Sequence, residues 1–165
     1  MTTPRPGVDT DVPTTHARVD TDVLVIAGGP AGAATGYWLA RHGHRVTVVE
    51  RKTFPRDKTC GDGLTPRAVY QLDQMGLADA LTAFHRYSGL RATGAGRELE
   101  LNWPKRPIYP DYGYVVRRRD LDSLVATNAS SVGATLLQGH EAIEPVLDRG
   151  FVRGAVVRAK DGTVS

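Results

Sequence analysis

The stretch from Asp22 to Glu50, DVLVIAGGPAGAATGYWLARHGHRVTVVE, limits what this chain can fold into more than any other. Val23, Leu24, Val25 and Ile26 form a continuous apolar run rich in β-branched side chains, the pattern of a central parallel strand covered on both faces. Ala27-Gly28-Gly29-Pro30-Ala31-Gly32 breaks that run, and Ala31, Ala34, Tyr37, Trp38 and Leu39 follow at helical spacing as far as Gly43. Val46, Val48 and Val49 then predict a second strand that closes on Glu50. Strand, glycine turn, helix, strand and terminal acid, in that order, are the signature of a dinucleotide-binding βαβ unit.

The chemistry follows from where the helix begins. A helix that opens at the glycines presents unpaired N–H groups and the positive end of its dipole, so a pyrophosphate is expected against Ala27, Gly29, Pro30, Ala31 and Gly32. Gly29 lets the phosphate reach the backbone, and Gly32 lets the helix lie close to the strand. Gly36 and Gly43 are expected where the helix presses on the sheet. Glu50 lies eighteen positions beyond Gly32, near the spacing of about 20 expected for a carboxylate that accepts from a ribose 2′-hydroxyl. An acid there disfavours a 2′-phosphate, and NADP is not the expected ligand. Ala27 takes the place of the first glycine of G-x-G-x-x-G, at a cost of about 1 kcal/mol if the turn demands a positive φ.

The uncharged run from Val23 to Ala40 is long enough to suggest a membrane span, but its four glycines and Pro30 argue for the turn. The formal net charge of +3 is scattered, apart from Arg117-Arg118-Arg119, and nucleic-acid binding is not indicated. One cysteine, Cys60, excludes an intrachain disulfide and fits a reducing compartment. Residues 1–20, rich in Thr, Pro and Asp, read as a disordered lead-in without the apolar core of a signal peptide. His16, His42, His44, His85 and His140 show no metal spacing, so no metal site is expected, and no Ser/His/Asp order or carboxylate pair argues for a hydrolase.

Arg51, Lys52, Arg56 and Lys58, mixed with Pro55, Gly61 and Gly63, describe a loop carrying positive charge beside the phosphate site, or only a solvated connection. Thr65 and Pro66 are expected to open a helix whose stripe is Ala68, Val69, Leu72 and Met75, ended by Gly76, with a short second helix through Leu77 and Leu81 to Phe84. Short strands are expected over 87–116, as an antiparallel layer inserted on the substrate side. Trp103, Tyr109, Tyr112 and Tyr114, beside Lys105 and Arg106, either line an apolar pocket, touch a membrane surface or pack along strand edges. A helix over 119–132, a parallel strand over 134–137 and a hairpin turning at Asp148-Arg149-Gly150 complete the reading, and the final residues ask for another strand.

Three stretches, AGGPAGAATGYWLARHGHRVTVVER, FPRDKTCGDGLTPRAV and YVVRRRDLDSLV, resemble the geranylgeranyl reductase family of FAD-dependent oxidoreductases, closest to the branch that reduces a double bond in the menaquinone side chain. The second is the most specific, because Arg56, Lys58, Cys60, Gly61, Gly63 and Leu64 fall in the family's R-x-K-x-C-G-x-G-L order. The resemblance implies a Rossmann-like α/β FAD-binding domain over 21–165 with a parallel sheet and a partial inserted β layer, truncated before the family's later A-D-G and G-D-A motifs. It implies FAD as cofactor, with Glu50 holding the adenosine ribose, Arg51 among the cofactor-binding residues and Arg56 to Gly63 along the flavin. Cys60 and Gly61 would then lie near the isoalloxazine ring, and Arg118, from R-x-x-L-D, near the ribityl and pyrophosphate part.

The implied reaction is hydride transfer to an isoprenoid C=C, with Cys60 either a small apolar space-filler near the ring or the one placed candidate for a catalytic role. The implied partner is a prenyl-chain lipid or quinone, met in the cytoplasm or at the inner face of a membrane, and the electron donor is left open. A flavin monooxygenase of the aromatic-hydroxylase type shares the first and third stretches, against which C-G-D-G-L argues. A non-catalytic nucleotide-binding fragment is the third reading.

Overall fold

The computed structural model describes residues 18–165. The lead-in expected over 1–20 therefore lies, for residues 1–17, outside the described residues, and His16 with it. Residues 18–20 are exposed and without regular structure.

The chain opens with β1 (Val23–Ile26), α1 (Pro30–Arg41) and β2 (Val46–Glu50). It continues through β3 (Gly63–Leu64), α2 (Pro66–Gln74), α3 (Ala78–Leu81), β4 (His85–Tyr87), β5 (Gly89–Gly94), β6 (Arg97–Asn102) and β7 (Gly113–Val115). The last part is α4 (Arg118–Ser131), β8 (Thr135–Gln138), β9 (His140–Asp148) and β10 (Phe151–Ala159).

A parallel sheet in the order β1-β2-β8 is the frame, with Val25 opposite Val48 and Val48 opposite Leu136. Every residue of β2 is buried. β1 was expected at the centre; among the described residues it forms an edge, with β2 its one neighbour in the sheet and Ile26 59% exposed. Helix α1 lies over one face of the strand and the β9–β10 hairpin partly roofs the other. That hairpin and the sheet enclose a cavity of about 840 Å³ lined by Leu24, Ile26, Val49, Leu137, Val152 and Val156, among others.

Helix α1 packs on β2 and α4 through Gly36, where an added Cβ would sit 2.8 Å from a Val48 methyl and 3.9 Å from Ala129 Cβ. Gly43 does not share that role. Its φ is +87° with open space around it, and it ends α1 instead, its N–H donating to Ala40 while the His44 N–H reaches back to Leu39.

Helix α2 carries the expected stripe, with Val69, Leu72 and Met75 buried. Thr65 takes the N-cap position but makes no side-chain cap bond, so Pro66 and backbone geometry start the helix. Gly76, at φ +75°, ends it, with Leu77 N–H returning to Leu72.

The strands between 85 and 115 divide in two. β5 and β6 pair with each other, whereas β7 lies between β3 and β4 in a separate antiparallel sheet. The loop after β2 is thereby stitched to the entry of α4. The aromatic residues pack in pairs: Tyr70 with Tyr109 at 5.5 Å, Tyr112 with Tyr114 at 5.7 Å, and Tyr87 with Trp103 at 6.2 Å. The Arg86 guanidinium stacks over Tyr112 at 3.7 Å. At the far end Ser165 and Val157 exchange backbone bonds, and the turn after β10 closes on it through an isolated bridge between Val164 and Arg158.

Filling the α1–β2 contact is expected to be costly. Gly36→Val should lower stability by roughly 1–3 kcal/mol through overpacking, read as a lower urea midpoint with an unchanged m-value.

Candidate functional site

The site is built where β1 stops. Ala27 has φ +84°, the left-handed region in which alanine is strained. Its N–H still continues the ladder to the Val49 carbonyl at 2.8 Å, so the chain turns sharply right at the end of the sheet. Gly29 then takes the N-cap position of α1, with no side-chain cap and no acid in the first turn. Pro30 and Ala31 open the helix, and the first helical bond runs from Ala33 N–H to the Gly29 carbonyl. Gly32 is obligatory for the close approach, since a Cβ there would fall 1.9 Å from the Ala27 carbonyl oxygen. The outcome is a helix start whose dipole is uncompensated by its own side chains and therefore suited to an anion.

Glu50, at the tip of β2, is buried and turned toward this start. Its Oε2 accepts from Gly28 N–H at 3.0 Å and its Oε1 from Lys52 N–H at 3.0 Å. Arg56, whose side chain is only 11% exposed, reaches back from the following loop to Glu50 at 3.4 Å and across to Asp122 at 3.1 Å. Arg118, the first residue of α4, forks onto the same Asp122, with Nε to Oδ1 at 2.7 Å and Nη2 to Oδ2 at 3.0 Å. Acids and guanidiniums thus alternate from Glu50 to Arg118.

Both guanidiniums close on the glycine turn. A Cβ on Gly29 would lie 3.5 Å from Arg56 Nη2 and 3.9 Å from Arg118 Nη2. Arg56 Nε is buried with no partner in the protein. Helix N–H groups, two guanidiniums and an orphaned donor around a bare glycine fit the pyrophosphate of a dinucleotide. A carboxylate beside them fits a ribose.

Arg51 and Lys58 are exposed, and with Ala27, Glu50 and Arg56 they line a cavity of about 330 Å³ that also takes in His140 and Ala142. Gly61 and Gly63 flank Asp62, whose φ is +52°. The Asp62 carboxylate accepts from the Arg118 backbone N–H at 3.0 Å and its carbonyl from Val116 N–H at 2.8 Å, which pins this loop to the start of α4. Cys60 is exposed. Its thiol is held below the ordinary cysteine range, first by a hydrogen bond from Arg118 and then by the N–H groups of Asp62 and Gly61. Arg118 in turn is held above its ordinary range, chiefly by its bond to Asp122.

The structure therefore brings Ala27, Gly29, Pro30, Gly32, Glu50, Arg56 and Arg118 to one place, with Cys60 attached through Arg118. Two residues escaped the sequence reasoning. Asp122 was visible only as the last letter of R-x-x-L-D, at i+4 from Arg118, and Asp62 only as the acid between two glycines.

Comparison with known proteins agrees with this geometry. The family model described as "FAD binding domain" matches residues 20–165. Menaquinone reductase of Mycobacterium tuberculosis is 48% identical over 122 residues, which are 74% of this chain and 30% of that protein. Among solved structures, a myxobacterial FAD-dependent halogenase, the chondrochloren halogenase, superposes with a TM-score of 0.80 at 26% identity, covering 88% of this chain and 34% of its own. A geranylgeranyl bacteriochlorophyll reductase-like protein of Thermoplasma acidophilum superposes with a TM-score of 0.73 at 27% identity, covering 86% and 35%. The chain thus spans about a third of the length of these proteins.

Two outcomes are expected. Ala27→Gly should relieve the positive φ and stabilise the fold by roughly 0.5–1 kcal/mol, measured by urea denaturation. Alkylation of Cys60 by iodoacetamide should rise with pH at a midpoint below that of an ordinary cysteine, because the thiolate is the reacting form. Arg118→Gln should move that midpoint upward.

Proposed function

This chain belongs to the FAD binding domain family, with the Rossmann-like fold and the FAD cofactor of flavin-dependent oxidoreductases, and on that premise we propose that it is the nucleotide-binding part of a reductase of isoprenoid C=C bonds in a quinone side chain. The observation that carries the reading is the 48% identity to a menaquinone reductase over 74% of this chain.

In this reading the α1 start, with Arg56 and Arg118, holds the pyrophosphate of FAD, and Glu50 holds the adenosine ribose. The loop from Lys58 to Gly63 lies along the flavin. Bound FAD supplies hydride chemistry, which no protein side chain can provide. The chain's own residues bind, orient and compensate charge around it.

Cys60 is the candidate for a proton-handling role at Sγ. A thiol brought down from the ordinary cysteine range toward the working pH exchanges its proton more readily than an unperturbed one. Arg118 is forked onto Asp122, which holds the positive charge beside the thiol. A prenylated quinone is a membrane lipid, and the reading accordingly places the protein in the cytoplasm, in contact with the inner face of the membrane. Among the described residues no helix is long and apolar enough to cross a membrane.

The test is expression of a menaquinone reductase in which this chain replaces the matching nucleotide-binding part, in a menaquinone-producing host stripped of its own side-chain reductase, followed by mass spectrometry of the extracted quinone. A side chain that gains two hydrogens is expected. An added oxygen would return the monooxygenase reading, and an unchanged quinone would remove the substrate assignment.

A further inference from the structure

Asp122 is the most completely enclosed charged group among the described residues, with no exposed surface. It stands one turn into α4, so the helix backbone fixes its offset from Arg118. Its two oxygens take three guanidinium nitrogens: Arg118 Nε and Nη2, at 2.7 and 3.0 Å, and Arg56 Nη1 at 3.1 Å. Arg56 belongs to the loop after β2 and Arg118 to α4, and no other side chain among the described residues accepts from both.

We propose that Asp122 is the positioning residue of the anion cradle, aiming both guanidiniums at the start of α1. This rests on the reading that the cradle holds the pyrophosphate of FAD. The nitrogens that Asp122 leaves over, or shares, are those that stand over Gly29. Arginine side chains are long and rotatable, and a planar fork loses little freedom only when its partner carboxylate is itself immobile. A carboxylate sealed inside α4 meets that condition. Glu50 cannot substitute for it, because Glu50 is engaged by Gly28 and Lys52 N–H groups and touches only Arg56.

Cys60 gives a second view of the same residue, because Arg118 is the first cause that holds its thiol below the ordinary cysteine range. The groups that bear on Cys60 are Arg118, through it Asp122, and the N–H groups of Gly61 and Asp62. If Asp122 merely added negative charge nearby, its removal would lower the thiol's titration midpoint. If it aims Arg118, its removal lets the guanidinium swing away and the midpoint rises. The two roles have opposite signs.

The experiment compares the native chain with Asp122→Asn and with Leu121→Ala, an apolar core truncation on the same turn that accepts from neither arginine. FAD titration followed by fluorescence and the pH profile of Cys60 alkylation are the readouts. Asp122→Asn is expected to weaken FAD at least tenfold and to raise the alkylation midpoint. Leu121→Ala is expected to lower the denaturation midpoint while leaving FAD affinity within threefold and the alkylation profile in place. Unchanged FAD affinity in Asp122→Asn, an equal loss in Leu121→Ala, or an alkylation midpoint that falls would each overturn the proposal. Should Asp122→Asn fail to fold, Asp122→Glu keeps the charge but displaces the carboxylate by a methylene, and is expected to weaken FAD and raise the midpoint; native behaviour in that variant overturns the proposal. If the native chain takes up no FAD, the cradle reading fails by itself, and the alkylation profile still decides whether Asp122 aims Arg118.

Discussion

The rest of the structure depends on how closely α1 approaches the turn that precedes it. At Gly32 there is no room for a single carbon, because the Ala27 carbonyl oxygen already occupies the place a Cβ would take. That contact fixes where the helix begins and directs its first turn beyond the end of the sheet. It also fixes the tilt that lets Gly36 meet Val48 and α4. A helix set back by one side-chain radius would lose both the seam with β2 and the anion-ready end. The strained φ at Ala27 is the local cost of the same approach.

Around that end, charge is organised rather than merely present. Glu50, Arg56, Asp122 and Arg118 are all poorly exposed, and each ion touches one of opposite sign. Burying any of them alone would be prohibitive, whereas an alternating row spreads the desolvation over several hydrogen bonds. Such a row adds little net stability, and breaking it at one member leaves a buried charge uncompensated. Its worth is geometric: it ties the loop after β2 to the first turn of α4, two segments distant in sequence, and leaves guanidinium nitrogens facing Gly29. Asp62 ties the same loop to the start of α4, its carboxylate accepting from Arg118 N–H and its carbonyl from Val116 N–H.

Most of the first unit was legible in the sequence because it is governed by local rules. The apolar run, the glycines and the terminal acid gave β1, α1, β2 and the inward-facing Glu50, and the cost at Ala27 followed from chirality alone. Gly43 was misjudged because spacing identifies a small residue without saying whether it meets a neighbour or adopts a positive φ. The edge position of β1 was hidden because an apolar strand reads the same wherever it sits in the sheet order. Asp122 was hidden for a different reason. A carboxylate four residues after an arginine on a helix usually marks a solvated surface pair, and only the packing of the loop carrying Arg56 encloses it. Likewise, the pairing of β7 with β3 and β4 instead of with the hairpin is a long-range choice that alternating patterns do not encode.

The unpaired flank of β1 has a consequence for handling the molecule. Its outward backbone groups stand beside apolar side chains such as Ile26 and Val152, the latter 69% exposed, with no lysine or proline within the strand to discourage company. Sheet borders of that kind act as templates onto which any extended segment of compatible length can zip, whether from the same molecule or another. An extended segment laid along that border, from elsewhere in the same polypeptide or from another, would complete the hydrogen bonding that the described residues leave open.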